Sequence, residues 1–600
     1  MATDTRTDAA RKITLTVNTA DLGEFRKAAQ LAVELGANHL TATQIEPAMW
    51  AWNANRHDPY PNWGLRNPTV FKFVVPDELK AYLPGDYAKR NLDTLKGRAA
   101  ILREFGLKAA FFAMEPAYLP EQVYLDHPEW RGPRCDQARR ARSEYYAPCL
   151  DNPEMFAIYH KAIVELCRAC PFDAFVIMTN DSGGGLCWCE GLYPGKNGPA
   201  ACRHIPTGER ISRFLSLFQD AAREAGLGNV EADVNHINPI DVAQSLAVLK
   251  PGQSVNNRTA TSAARTVPIG VTGYKDYTFP VFLLPRIGAF ARMVQDAQNA
   301  PNANLEIILR SLEDEEAIRF VGKWLGKMKP GPAGRADALM DLATELTGNA
   351  EDAAGLAEIW DIIERMVERF EHLQTGGHIF LLGTVCQRWL TRPFVAFPAE
   401  LQPEEKTYYR QYQFQAQTEA NADDMSDLQA NCWLKGFGAA NLVEKNSLRV
   451  IALANEAIAI ADGIASRGGP YAAKAGILSA RLRAYRCIVR NACNAVRFQD
   501  FMDRADRVNP PVDTSPAIDE QGDIQLYKVN QLVRDEIDNT LELIHLIEET
   551  PAKVIDTAPA EEFTCSMMLE PDLVASLRRK IAVMEAHRRD FLRLYKSYNK

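Results

Sequence analysis

The strongest constraint on this chain is a change of rhythm. From residue 13, short apolar runs rich in β-branched and aromatic residues alternate with amphipathic helical stretches; past about residue 340 only the 3.6-residue period remains. ITLTVN is followed by DLGEFRKAAQLAVELG and NHLTATQIE, a β-α-β opening. The succession returns through KAAFFAMEP, FDAFVIMTND, NVEADVNHI, QSVNNRTA, GVTGYKDYTFPVFLL and LEIILRSL. About eight strands separated by helices predict a parallel sheet, either closed or doubly wound. No Gly-x-Gly-x-x-Gly turn follows the first strand, and polar residues stand at the ends of many strands rather than at one crevice. The expected fold is therefore α/β, a (β/α)8 TIM-like barrel over residues 12–340.

Long segments such as AEDAAGLAEIWDIIERMVERFEHL, SLRVIALANEAIAIADGIA and KVNQLVRDEIDNTLELIHLIEE predict an all-helical C-terminal domain over residues 345–600. The broad apolar face of AAKAGILSARLRAYRCIVRNACNAV makes a homo-oligomer an expectation too. Partners are narrowed by charge. The chain of 600 residues carries a formal net charge of −9 with no basic block, which excludes a phosphate-neutralising surface, so nucleic acid is not expected as a partner. The apolar run in HIFLLGTVC is too short to span a bilayer, so no membrane association is expected either. Twelve scattered cysteines fit a reducing compartment, and the polar opening MATDTRTDAARK lacks the pattern of an export signal; the expected location is cytoplasmic.

A barrel assembles its active site from the loops that follow its strands, so strand-end polar residues come first. Glu46, Glu115, Asp181, Asp233 with His236, Asp276 and Glu306 all fall there. Glycoside cleavage needs one carboxyl group to protonate the leaving oxygen and another to act as base or nucleophile, and a barrel rim supplies such pairs. PAMWAWNANRHDPYPNWG gathers Trp50, Trp52, Tyr60 and Trp63 with Asn53, Asn55, Arg56, His57 and Asp58. That mixture suits a carbohydrate, whose C–H faces lie on aromatic rings while its hydroxyls meet amide, guanidinium and carboxylate groups. Asn180, Asn235, Lys275 and Asp276 are further sugar-binding candidates, and Arg56, Lys275, Arg286 and Arg310 are placed to clamp a sugar carboxylate.

The segment FDAFVIMTNDSGGGLCWCEGLYPGKNGPAACRH, approached through HPEWRG and CLDNPEMFAIYH, carries an Asp followed by a glycine run and Cys-x-Cys after the fourth strand. This pattern resembles the barrel glycoside hydrolases that group with family-20 hexosaminidases and family-67 α-glucuronidases, over roughly residues 12–340. The resemblance implies a glycosidase whose acid stands at the end of the fourth strand, at Asp181. Family-20 enzymes have an Asp-Glu pair there; this chain has Asn180-Asp181-Ser182.

The resulting expectation is a hydrolase of an oligosaccharide or glycoside, on a uronic-acid or amino-sugar substrate, with Asp181 as acid, Asp233 as its ionised partner and His236 orienting Asp233. Glu46, Glu115 and Glu306 compete for either role. Two alternatives stand beside it. Asp233, Asn235 and His236 with Glu46 or Glu115 suit the metal of a sugar isomerase or epimerase, and a silent carbohydrate-binding barrel needs no acid at all. Hydrolysis requires no cofactor. Cys187, Cys189, Cys202 and His204 form C-x-C-x12-C-x-H, a candidate structural zinc set that would brace the Asp181 loop.

Overall fold

The computed structural model describes residues 11–49, 66–135, 144–180, 183–190, 198–259, 266–271, 278–374, 390–411, 436–508, 516–563 and 569–592. Eight parallel strands form one sheet: β1 (Ile13–Val17), β2 (His39–Thr41), β3 (Lys108–Met114), β6 (Phe172–Met178), β7 (Glu231–Asn235), β8 (Gln253–Val255), β9 (Thr266–Ile269) and β10 (Asn304–Leu309). A short antiparallel pair, β4 (Arg131–Arg134) and β5 (Tyr146–Pro148), lies between β3 and β6 in the chain.

The order across the sheet is β8-β7-β6-β3-β2-β1-β10-β9. This is the sequence order joined end to end by the β1–β10 ladder and cut between β8 and β9, so the sheet curls on itself as a barrel does. A doubly wound sheet would instead reverse direction at a switch point.

Side-chain alternation explains how the curl is filled. Leu15, Val17, Phe175, Ile177, Ala232, Val234, Leu305, Ile307 and Leu309 enter the apolar core beneath the helices. The intervening residues face the interior, where Thr16 bonds Thr41 across β1 and β2 at 2.7 Å and Glu306 on β10 at 3.0 Å.

The covering helices are α1 (Leu22–Glu34), α2 (Gly85–Phe105), α3 (Glu121–Asp126), α4 (Pro153–Ala169), α5 (Thr207–Glu224), α6 (Pro239–Leu246), α7 (Ile287–Gln298) and α8 (Glu315–Trp324). Their starts follow local chemistry: the side chains of Asp21, Asn152 and Asn238 accept from the first free backbone N–H groups of α1, α4 and α6.

One strand differs from expectation. The seventh of the sheet is TVPI, just before GVTGYKDYTFPVFLL. Gly270 ends it, with φ +151°; a Cβ there would stand 2.1 Å from the Ile308 carbonyl oxygen, so the chain departs at a residue that only glycine can fill.

Among the described residues no strand follows β10. The remainder is α9 (Gly331–Thr347), α10 (Ala350–Gln374), α11 (Pro403–Gln411), α12 (Gly436–Arg467), α13 (Ala472–Val508), α14 (Pro516–Glu549) and α15 (Leu573–Ala586). One continuous apolar core runs from the strands into these helices. Arg286, ahead of α7 and expected to clamp a sugar carboxylate, pairs with Glu364 of α10 at 2.9 Å and so joins barrel to helices. The apolar face of α13 packs within the chain on α12 and α14. No described helix is long and apolar enough to cross a membrane.

Candidate active site

At the end of β6 the backbone closes on itself, Asn180 and Gly184 exchanging N–H···O bonds of 3.1 Å each way. Gly183 and Gly185 take φ of +91° and +96°, and a Cβ on Gly183 would meet Cys189 at 3.0 Å, so the glycine run is what permits this turn. Asn180 is buried and its amide donates to Tyr118 Oη and to the Cys135 carbonyl. It fastens the turn to the β4–β5 segment, which differs from the sugar contact expected of it. Asp181 lies outside the described residues, as do Trp50, Trp52, Asn53, Asn55, Arg56, His57, Asp58, Tyr60, Trp63, Lys275 and Asp276.

Asp233 lies on the inner face of β7, one inward step below the strand's end at Asn235, roughly 7 Å beneath the rim. Ser254 Oγ, the Asn257 N–H at 3.2 Å and Asn235 Nδ2 at 2.6 Å all donate to it. Burial nevertheless holds its carboxyl above the ordinary range. Asn235 thus helps to orient Asp233. His236 stands at the rim in the left-handed region, φ +67°, and its carbonyl accepts from Thr179 Oγ1 at 3.4 Å. A non-glycine residue held there is the kind of backbone strain found at ligand sites.

Glu306 shares the interior with Asp233. Burial raises its carboxyl, as does the nearby Asp233 charge, while Thr16 and Lys12 pull it back. Lys12 pairs with Glu231 at the foot of β7. Glu115, by contrast, faces away from the interior. It continues the Phe111–Ala113 face of β3, whose Phe111 packs on Phe172, Phe175 and Phe218. Its carboxylate accepts from the Val70 N–H at 2.6 Å and from Tyr159 Oη on α4 at 3.0 Å. Burial pushes it up to about 7, and its bonds tie β3 to the helix layer.

The rim beyond β2 and β10 holds groups that strand-end reasoning missed. The strap between α14 and α15 crosses onto the barrel, Phe282 N–H donating to the Val554 carbonyl and Asp556 N–H to the Pro280 carbonyl, both at 2.8 Å. Asp556 pairs with Arg310 and, at 2.9 Å, with Lys553; Arg310 also lies over the Phe279 ring, 4.8 Å from its centroid. Burial works against ionisation of Asp556, yet the two cations hold its carboxyl below the ordinary range. Arg310, expected to clamp a sugar carboxylate, thus already holds one from its own chain. Glu46 feels the same cluster. Burial raises its carboxyl, Arg66 and Lys553 lower it, and Glu24 and Asp556 raise it.

The cysteines also regroup. Cys149, Asp151, Cys187 and Cys202 bring four ligand atoms within 4.8 Å of one another, and all three thiols are buried. Cys189 is buried against Gly183, and His204 is exposed; neither joins the group. Cys149 and Asp151 stand 38 and 36 residues before Cys187, so no local motif could point to them.

No protein family and no curated protein matches the sequence. Solved structures to which the chain is similar include glycoside hydrolases. A GH138 enzyme targeting pectin rhamnogalacturonan II is 10% identical with a TM-score of 0.49, over 97% of this chain and 68% of that one. A Flavobacterium johnsoniae chitobiase of family 20 is 12% identical with a TM-score of 0.34, over 95% and 78%. A GH20 catalytic module of the pneumococcal exo-β-D-N-acetylglucosaminidase StrH is 10% identical with a TM-score of 0.30, over 58% and 95%.

Proposed function

We propose that this chain is a glycoside hydrolase working at the C-terminal mouth of its barrel, with Asp181 as proton donor and Glu46 as the carboxylate that completes the pair. The observation that carries the reading is Glu46, a strand-end carboxyl raised by burial and set among Arg66, Lys553 and Asp556. A carboxyl raised by burial and flanked by charged groups at a barrel rim is suited to proton transfer. Asp233 is a positioning residue in this reading. Its oxygens are engaged by Ser254, Asn257 and Asn235 inside β7, so it sets the shape and charge beneath the reacting sugar. The Trp50–Trp63 segment supplies stacking surface for the sugar. A uronic-acid substrate would have to compete with Asp556 for Arg310 and Lys553, which favours a neutral or amino sugar.

A panel of aryl glycosides with good and poor leaving groups tests this. Asp181→Asn should lose far more activity on the poor leaving group, whereas Glu46→Gln should lose activity on both. No turnover across the panel, or an unchanged rate in both variants, overturns the reading.

A further inference from the structure

Cys149, Cys187 and Cys202 reach one another from three separate parts of the chain: the end of β5, the loop after β6, and the turn Ala200–Cys202 ahead of α5. Cys187 Sγ lies 3.7 Å from Cys149 Sγ, and Cys149 Sγ lies 3.9 Å from Cys202 Sγ. A disulfide needs about 2.05 Å, so these thiols are not bonded. Sulfurs about 2.3 Å from a tetrahedral zinc ion, however, stand about 3.8 Å apart along each edge. The two distances from Cys149 match two tetrahedral edges, and the whole group lies within 4.8 Å.

The fourth corner and the surroundings fit as well. The Asp151 side chain is 7% exposed and completes the group, and Arg210 Nε lies 2.9 Å from its carboxylate with Arg213 at 3.9 Å. Arg210 also donates to the Cys187 carbonyl at 2.8 Å and to the Cys202 carbonyl, so one guanidinium orients three of the four ligand residues. Such outer contacts are what hold metal ligands in register. Charge balances too. Three thiolates and a carboxylate carry four negative charges, which one divalent ion together with Arg210 and Arg213 cancels. Soft sulfur donors in a closed tetrahedral set select zinc over the hard cations.

We propose that Cys149, Cys187, Cys202 and Asp151 bind one structural zinc ion, which pins the loop following Asn180 and Asp181 to the β4–β5 segment and to the start of α5. Binding releases the thiol protons to solvent and involves no redox step. All four positions are filled by protein, so the ion braces the loop and takes no substrate. The proposal does not depend on the hydrolase reading, and its test does not use activity.

The test is elemental analysis of the full chain purified without chelator, then replacement of the metal by cobalt. About one zinc per chain is expected, and the cobalt form should show thiolate-to-metal absorption in the near ultraviolet with intense tetrahedral bands in the visible. Cys149→Ser and Cys202→Ser should lose the metal, while Cys189→Ser and His204→Ala keep it. Should the cysteine variants fail to fold, the cobalt spectrum of the unaltered chain still decides. Absence of stoichiometric metal and of the thiolate band, retention of metal by Cys149→Ser, or a disulfide involving Cys149 found by mass spectrometry overturns the proposal.

Discussion

Glu115 offers a measurement that isolates one buried carboxyl. It is fully buried, and the Val70 and Ala117 N–H groups, Tyr159 and the more distant Lys72 only partly offset that burial. Burial lifts it from an ordinary 4.5 to about 7 in the folded chain. A carboxyl raised on folding binds its proton more tightly in the native state. Its contribution to stability is therefore full below about pH 4.5 and is lost as pH climbs through about 7. At about 1.36 kcal/mol per pH unit, the loss across that window is about 3 kcal/mol. Glu115→Gln cannot ionise, so its stability lacks this dependence whatever constant cost the amide brings. The assay is thermal unfolding of both proteins from pH 4.5 to 8.5. Relative to Glu115→Gln, the unaltered chain should lose several degrees of Tm between the two ends, at roughly 2 °C per kcal/mol. A difference in Tm that stays constant with pH would refute the reasoning, because it would mean that Glu115 is ionised throughout or reached by water.

Two further perturbations have outcomes fixed by packing. Lys580 and Glu536 form a fully buried ion pair, with Asn491 and Asn494 each donating to Glu536 at 2.8 Å; Lys580→Met should cost about 3–5 kcal/mol, and a paired Lys580→Met/Glu536→Leu change should recover much of it in the same melt. Gly270→Ala drives a Cβ into the Ile308 carbonyl between β9 and β10 and should lower Tm severely or leave the chain insoluble, whereas Gly226→Ala, with open space around its Cβ, should cost only the strain of its positive φ.

Much of the barrel was legible because a parallel sheet leaves two signals that need no long-range information: apolar runs at a two-residue period and helices with local caps. The seventh strand was misplaced because GVTGYKDYTFPVFLL has the composition of a strand, while the close approach of Gly270 to Ile308 depends on a neighbour 38 residues away. The orientation of Glu115 was missed for a different reason. Phe111 and Ala113 already mark its face of β3 as outward, and carrying that alternation one step past the strand would have turned Glu115 toward α4. The cysteine group was half visible. Cys187 and Cys202 share a local motif, whereas Cys149 and Asp151 arrive through the β4–β5 excursion. Nothing near Lys553 or Asp556 in the sequence marks them as rim residues, since the contact that places them joins β10 to a strap more than 240 residues later.

That strap bears on the chemistry as well as on stability. Asp556 raises Glu46, whereas Lys553 and Arg66 lower it. Replacing Asp556 by Asn keeps the side chain's size and both backbone bonds to the 280–282 turn but deletes one negative charge. Arg310 and Lys553 then lose the counter-charge they share. Both consequences act in the same direction on Glu46, toward a lower pKa, so the limb of the pH–rate profile that reports its ionisation should move to more acid pH. The same variant should lose the stability that a depressed carboxyl supplies, which is present above the ordinary Asp range and is lost as pH falls below it through the lowered folded-state value, so its Tm deficit should shrink in acid. Following kcat/KM on an aryl glycoside together with Tm across pH separates the two effects. A Tm deficit with an unmoved pH–rate profile would make the strap a fastening alone and take Glu46 out of the catalytic pair; a shift of both ties the helical region directly to proton transfer at the mouth.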